Sequence, residues 1–316
     1  SRRSWAHHDC GVVYGSDVMR PHGLIQLLVV SAALAGASWT VAARSADGQD
    51  IDALVNQIGE RVAAYYQRAQ RLVCTERSTV VPIGKDWSLQ GFARTVESEL
   101  RVELDSADGE TLPAARVTRQ IRRVNGREPR ERDKKDRAGC TDPTPLSPEM
   151  LTFLLPGYRA EYRFTAVRNG RERNRKALIV DYASTQRSRP ELIEDEYGHD
   201  DCFDWKGPVA VAGRVWVDAD TRDVLRLDRR VTGPTDVRVP DRLQRKHLFA
   251  PWLTIDRDDL TMRFKEVSFT DPDETIVLPE SVEWVTVLRS GLQSTRRTQV
   301  FSDYRRFLTT SRVKSP

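Results

Sequence analysis

From residue 50 onward, apolar side chains recur at the three- and four-residue spacing of an α-helix. Asp50 and Asp52 are both suitable N-caps, because a carboxylate accepts hydrogen bonds from the free N–H groups of a first helical turn. The pattern predicts a helix that ends near Leu72 and needs a partner surface for its apolar stripe. The stripe consists of Ile51, Leu54, Val55, Ile58, Val62, Tyr65, Ala69 and Leu72.

Beyond this helix the hydrophobic period changes to two, which is typical of strands with one buried face. In 92–104, for example, Val96, Leu100 and Leu104 share a face, and charged residues fill much of the other. Strands are predicted over 75–83, 92–104, 117–124, 162–167, 177–182, 209–217, 224–231, 260–269, 281–288 and 295–301.

Turn signals join these strands. Asn125-Gly126 and Asn169-Gly170 are predicted hairpin turns. The ranges 185–207 and 232–258 show no clear period and are predicted to be irregular. A short helix is predicted near 147–155, with Ser147 as N-cap and Pro148 at its first position.

These elements predict an α+β fold. A large curved antiparallel β-sheet, a half-barrel, is expected to wrap around the long N-terminal helix, with the short helix near 147–155 beside it. The order of the elements gives no internal repeat, so residues 44–316 are expected to form a single domain.

The N-terminal part carries a different pattern. Residues 23–43 contain no charged residue and follow Met19 and Arg20, the plan of a secretory signal peptide. We therefore expect 1–18 to be an upstream extension, 19–43 a signal peptide and 44–316 an exported domain, periplasmic or secreted from a bacterium. The alternative is an uncleaved membrane anchor, since about 20 apolar residues span a bilayer.

Charge and cysteine content narrow the function classes. Charged residues make up 30% of the chain, yet the net charge is only +4, which argues against nucleic acid as a partner. Three cysteines follow residue 43: Cys74, Cys140 and Cys202. In an oxidising compartment we expect Cys140 to pair with Cys202, both in polar sequence, although connectivity cannot be deduced from sequence.

Candidate catalytic chemistry is sparse. The exported part contains two histidines, His199 and His247, and no GxSxG or CxxC motif. The acidic run 194–204 is read as a surface loop, with Ca²⁺ or a transition metal as the weaker alternative. No catalytic, cofactor-binding or metal-binding residue is therefore predicted, and no cofactor.

Four segments resemble a known family. GRVWVDADTRDVLRLD (213–228), CTERS, LSPEMLTFLLP and VFSDYRRF are similar to segments of LolA/RseB-like periplasmic proteins and of a related group of uncharacterised secreted bacterial proteins. The resemblance implies a half-open β-barrel covered by helices, which in that family binds lipoproteins or lipid-like groups. It carries no individual ligand residue over to this chain.

The expected function is non-catalytic binding of an apolar ligand, a lipid or a lipoprotein acyl chain, between sheet and helices. Trp216 and Trp284, both in the middle of predicted strands, are the expected cavity walls. The alternative is a protein-interaction or envelope-sensing domain whose partner, another envelope protein, meets the loops or a sheet edge. A membrane is expected as a partner only through an uncleaved signal. A large apolar cavity under the helix would favour the first reading, and a fully packed interface the second.

Overall fold

The computed structural model describes residues 51–69, 71–84, 86, 88–104, 115–130, 148–186, 189–194, 203–289 and 292–306. The predicted extension and signal peptide, together with Cys140 and Cys202, lie outside these ranges.

The first helix follows the apolar stripe. Helix α1 spans Ile51–Arg68, and its inward face is formed by Leu54, Val55, Ile58, Gly59, Val62 and Tyr66. It ends earlier than predicted, because Arg71 takes a positive φ of 57° and Leu72 already begins the first strand. The side chain of Leu72 still joins the same core as the helix.

Thirteen strands form the sheet of the described residues. They are β1 Leu72–Ile83, β2 Arg94–Leu104, β3 Ala115–Val124, β4 Tyr162–Glu172, β5 Arg175–Ser184, β6 Glu191–Glu194, β7 Phe203–Lys206, β8 Val211–Asp218, β9 Val224–Val231, β10 Thr235–Arg238, β11 Trp252–Thr270, β12 Asp273–Arg289 and β13 Ser294–Arg306. A 3₁₀ segment covers Pro148–Leu154, where the short helix was predicted.

The main strand order is β3-β2-β1-β13-β12-β11-β9-β8-β5-β4, and every pairing along it is antiparallel. The β10–β6 contact is parallel. Leu100 of β2 and Val180 of β5, far apart in this order, join one core with α1. The sheet therefore curves around the helix, as predicted, and the face towards α1 is called the concave face below.

The predicted hairpin between 209–217 and 224–231 is confirmed as β8 and β9. The carboxylate of Asp218 accepts hydrogen bonds from the backbone N–H groups of Asp220 and Thr221, at 2.9 and 2.8 Å. This Asx-type arrangement closes the turn without help from glycine.

The turn predicted at Asn169-Gly170 is wrong. Both residues lie within β4, opposite Leu178 and Ala177, and the chain reverses later, at Arg173, which has a φ of 53°. Gly170 serves packing instead: a Cβ there would stand 2.5 Å from Cδ1 of Ile179. At Asn125-Gly126, by contrast, both residues have positive φ and the predicted turn is confirmed.

The segments predicted to be irregular contain ordered elements. Strands β6 and β7 pair within 185–207. Within 232–258 lie β10, the beginning of β11 and helix α2, Asp241–His247. These elements are too short to show a period, and they become ordered by sharing a second core formed by Leu192, Val231, Val237, Val239, Leu243, Leu253 and Ile255.

Candidate ligand-binding site

The main hydrophobic core of the described residues lies between α1 and the sheet. Leu54, Ile58 and Val62 of the helix meet strand side chains that alternation places on the concave face. These include Leu100, Val180, Val215, Leu227, Leu260, Met262, Leu278, Val282 and Phe301. Complete burial of one such side chain contributes about 1.5–3 kcal/mol, so this contact holds the helix on the sheet.

Helix α1 and the 3₁₀ segment approach each other closely at one side of the layer between α1 and the concave face. A Cβ on Gly59 would stand 2.7 Å from the carbonyl oxygen of Leu154, which is a contact that only glycine permits. Beyond it, the ring of Phe153 packs against the rings of Tyr162 and Tyr182, with centroids 5.2 and 4.5 Å apart. The 3₁₀ segment therefore closes the layer beside the helix.

An apolar pocket opens beneath the C-terminal turns of α1. Its volume is about 40 Å³, against ~300–1,000 Å³ for typical small-molecule sites. With α1 in this position, the pocket admits a short apolar group and not a whole acyl chain. It is lined by Tyr65, Tyr66, Ala69, Leu72, Cys74, Leu100, Val102, Leu278, Pro279, Phe301 and Tyr304.

The polar atoms of the pocket wall carry no charge at neutral pH. Burial and, to a smaller extent, the nearby Glu76 carboxylate raise the pKa of the Cys74 thiol to about 12. Burial also raises the pKa of the Tyr65 and Tyr304 hydroxyls. Tyr304 donates its hydroxyl proton to the carbonyl oxygen of Pro279 at 2.7 Å. The wall therefore suits a hydrocarbon group and offers no activated nucleophile.

Ion pairs hold α1 at two places along its length. Nε and Nη2 of Arg61 donate to the two carboxylate oxygens of Asp223 at 2.5 and 3.0 Å, and this hydrogen bonding raises the pKa of Arg61. Arg222, in the same β8–β9 turn, donates to Gln57 at 3.1 Å. The β8–β9 turn, which lies within segment 213–228, thus holds the middle of α1 on the sheet.

The C-terminal end of α1 is fastened to the β11–β12 turn. Nε of Arg68 donates to Glu274 at 3.2 Å, and its Nη2 donates to the backbone oxygen of Thr275 at 2.6 Å. Arg306 pairs with the same Glu274 and donates to the backbone oxygen of Arg68 at 2.8 Å. These contacts surround the side of the pocket where the helix ends.

The two predicted tryptophans lie outside the lining of this pocket. Trp216 packs in a separate small cluster with Ala177 and Leu225, and the guanidinium of Arg226 lies 4.4 Å from its ring centroid. Trp284 lies on the concave face and donates from Nε1 to Asp258 at 2.6 Å. Their role as cavity walls stays a prediction.

Cysteine and metal chemistry add little here. Cys74 is a free, buried thiol, while the pairing of Cys140 with Cys202 falls outside the described ranges and stays a prediction. Within the described ranges, no group of three or more His, Cys, Asp or Glu side chains is arranged to hold a metal ion. Nor does any helix of those ranges have the length and apolar content needed to cross a membrane.

One buried charged cluster was missed by the sequence reading. Glu76 is 1% exposed and accepts hydrogen bonds from Arg119 at 2.5 and 2.9 Å and from Gln299 at 2.9 Å. A signal was available, because Glu76 occupies the same face of β1 as Cys74 and Val80, where alternation calls for an apolar residue. Its partners, on β3 and β13, could not be read from local sequence.

Comparison with known proteins shows similarity of fold. No protein-family model and no curated protein matches the chain. Among solved structures, the chain is similar to a LolA superfamily protein from Nitrosomonas europaea, with 9% identity, a TM-score of 0.33 and coverage of 83% of this chain and 97% of that one. The open antiparallel sheet around α1 is the layout that the LolA/RseB resemblance implied.

Two further structures show the same kind of likeness. A DUF1329 family protein from Desulfovibrio piger has 11% identity and a TM-score of 0.39, and the match covers 83% of this chain and 95% of that one. An outer membrane lipoprotein-sorting protein domain from Vibrio parahaemolyticus has 10% identity and a TM-score of 0.29, with 80% and 94% covered. At these identities the likeness concerns the fold alone.

Proposed function

We propose that this protein is an exported, non-catalytic binding protein for an apolar ligand, a lipid or a lipoprotein acyl chain. The ligand occupies the layer between α1 and the concave face. The observation that carries the proposal is the uncharged apolar pocket under the last turns of α1, continuous with the main core.

Under α1 the described residues leave a pocket of about 40 Å³ instead of the large cavity expected for lipid binding, so ligand entry requires the C-terminal turns of α1 to move outward. The main contacts that oppose this movement are the buried side chains of Val62, Tyr66 and Ala69 against the sheet. The partly exposed pairs of Arg68 and Arg306 with Glu274 add about 0–1 kcal/mol each. A bound hydrocarbon chain replaces the lost apolar contacts, at about 0.8 kcal/mol for each methylene group that it buries.

The test is binding of a fluorescent fatty acid, together with native mass spectrometry of protein purified from a bacterial envelope. Ala69→Trp fills the pocket and is expected to weaken binding at least about tenfold, since overpacking costs about 1–3 kcal/mol. Val300→Trp is the matched control, because Val300 is 45% exposed on the other face of β13 and lies away from the pocket.

Circular dichroism on both variants establishes that they are folded. Absence of any co-purified lipid, combined with no binding of the fluorescent fatty acid to the unmodified protein, would contradict the proposal. Equal binding by Ala69→Trp and Val300→Trp would move the site away from the pocket under α1.

A second candidate function is binding of another envelope protein. It is favoured by the turn between β1 and β2, where Leu89 and Phe92 are 68% and 96% exposed. Exposed apolar side chains grouped in one turn are typical of contact sites. If lipid binding is absent and Leu89→Ser with Phe92→Ser abolishes a cross-link to a defined envelope protein, this second function replaces the first.

A further inference from the structure

The segment that links α2 to β11 is apolar and mostly exposed. Residues 248–252 read Leu-Phe-Ala-Pro-Trp, without a polar side chain. Leu248 is 90% exposed and Trp252 is 43% exposed, and Ala250 and Pro251 between them are exposed as well. Exposed apolar side chains grouped in this way are typical of contact sites. Residues 248–252 are called the apolar loop.

The base of the apolar loop is held by the second core. The ring of Phe249 packs against the rings of Phe203 and His247, with centroids 5.0 and 5.3 Å apart. The backbone N–H of Val239 donates to the carbonyl oxygen of Pro251 at 2.9 Å. Because these contacts already fix the base, binding through the loop costs little additional ordering.

Strand register turns Trp252 away from the second core. Trp252 lies opposite Arg238, whereas the next pair, Val237 and Leu253, belongs to that core. Cross-strand partners share a face of the sheet, and successive residues alternate between faces. The indole of Trp252 therefore lies on the outer face of β10 and β11.

Leu248 has a backbone conformation that disfavours its own side chain. It ends α2 with φ 56° and ψ 35°, in the left-handed region where glycine is the usual residue after a helix. A bulky residue in this region is strained, and a side chain that is 90% exposed gains little packing in return. Strain that the packing does not repay indicates a role of this side chain outside the fold.

Basic side chains lie beside the apolar loop. Helix α2 carries Arg242, Arg245 and Lys246, all of them exposed. Arg242 and Lys246 pair with Glu194, but their side chains are 68% and 46% exposed against 23% for Glu194, so the cations form the outer layer of this cluster. With Asp241 of the same helix included, three positive charges stand against two negative ones. This surface is therefore weakly basic.

These features together fit a lipid surface. A protruding leucine enters a deformable apolar phase without needing a pocket of matching shape. Tryptophan is enriched at the boundary between membrane and water. Lysine and arginine beside an inserted apolar segment contact anionic head groups.

We propose that the apolar loop inserts Leu248 and Trp252 into the outer part of an anionic lipid surface, with Arg245 and Lys246 at the head groups. This inference goes beyond the proposed function, because it concerns where the protein docks and does not depend on a ligand under α1.

The experiment is co-sedimentation with vesicles of phosphatidylglycerol and phosphatidylcholine in equal parts, using protein recovered in soluble form from the periplasm or the medium. Leu248→Gly should weaken vesicle binding about tenfold, since a leucine side chain that the lipid buries is removed. Its thermal midpoint should equal or exceed that of the unmodified protein, because glycine suits the left-handed conformation. Adding Trp252→Ser should abolish vesicle binding.

The contribution of charge is tested separately. Arg245→Gln should weaken binding to the mixed vesicles about fivefold and have no effect on vesicles of phosphatidylcholine alone. Val300→Ser is the matched control for loss of an apolar side chain, because Val300 is 45% exposed on the convex face of β13. It should bind vesicles as the unmodified protein does.

Vesicle binding that is equal in the unmodified protein, in Leu248→Gly and in the double variant would overturn the proposal. Absence of binding to any vesicle would overturn it as well, and so would an equal loss in Val300→Ser. Equal binding to mixed and to phosphatidylcholine vesicles, unchanged in Arg245→Gln, would overturn the anionic surface as the partner.

Discussion

At the scale of single residues, the least expected group is the carboxylate of Glu76. It is almost completely buried, and Arg119 and Gln299 supply three hydrogen bonds to it. Removing one partner of a buried pair leaves the other charge without compensation, and that loss exceeds what the intact pair contributes.

Glu76→Ala is therefore expected to lower the free energy of unfolding by about 3–5 kcal/mol. The measurement is urea denaturation at neutral pH. The double variant Glu76→Ala with Arg119→Met should recover part of this loss, because no isolated charge is left. Simple addition of the two single effects would show that the residues do not act as a pair.

Gly213 is a residue whose missing side chain matters. A Cβ there would stand 1.9 Å from the backbone oxygen of Asp228 and 2.7 Å from the hydroxyl of Tyr182. Gly213→Ala should destabilise the fold by about 1–3 kcal/mol or more, as overpacking does.

Gly157→Ala is the control for that substitution, because nothing lies within 4 Å of a Cβ at Gly157. Its thermal midpoint should stay close to that of the unmodified protein. Similar midpoints for the two variants would mean that β8 and β9 separate easily at this position.

At the scale of elements, α1 is the part whose movement the proposed function requires. Its last turn is held by Glu274, which pairs with both Arg68 and Arg306. The middle of the helix is held independently by Arg61 and Asp223. Separate ion pairs therefore hold the last turn and the middle of α1, and the proposed opening breaks those of the last turn.

Glu274→Ala should speed amide hydrogen exchange in residues 62–69 severalfold, since the loss of partly exposed pairs is worth about 0.5–1 kcal/mol. Mass spectrometry of peptic peptides measures it. Glu283→Ala is the control, because its pair with Arg296 is 4.0 Å long and 55% exposed on the Glu283 side. Exchange that is unchanged in Glu274→Ala would exclude an opening at this end.

The link between β6 and α2 should respond to acid. Hydrogen bonds from Lys246, and then from Arg242, lower the pKa of Glu194 from 4.5 to about 2. A lowered carboxyl pKa stabilises the folded state above the unfolded pKa, and this contribution is lost as the pH falls from about 4.5 to about 2. Glu194→Gln should therefore reduce the decrease in thermal midpoint between pH 5 and pH 2.

For that prediction, Glu283→Gln is a suitable comparison, because its carboxylate is exposed and 4.0 Å from Arg296. It should keep the decrease of the unmodified protein. An acid response of Glu194→Gln equal to that of the comparison would place the pH dependence elsewhere in the chain.

At the scale of the whole molecule, export decides which ligands the protein meets. The proposal that 19–43 is a cleaved signal predicts a mature protein that begins at Arg44, after Val41-Ala42-Ala43. Intact-mass measurement of protein from the periplasm or the medium tests this. A mass that includes residues 19–43 in the membrane fraction would favour the anchor instead.

Local sequence patterns determine much of the secondary structure of this protein. The stripe of α1, the alternation of strands such as β2, and the β8–β9 hairpin were readable, because each depends on neighbours within a few residues. Elements too short to show a hydrophobic period could not be predicted, because β6, β7 and α2 are ordered by packing in a shared core. The error at Asn169-Gly170 has the same origin, since Ile179 of the paired strand decides what Gly170 does.

The candidate site belongs mostly to what the tertiary structure decided. The pocket under α1 joins residues from the helix and from strands at both ends of the sequence. The hydrophobic period of the sequence predicts which face of the sheet a side chain occupies. Strand order decides its neighbours on that face, because cross-strand contacts do not depend on separation along the sequence.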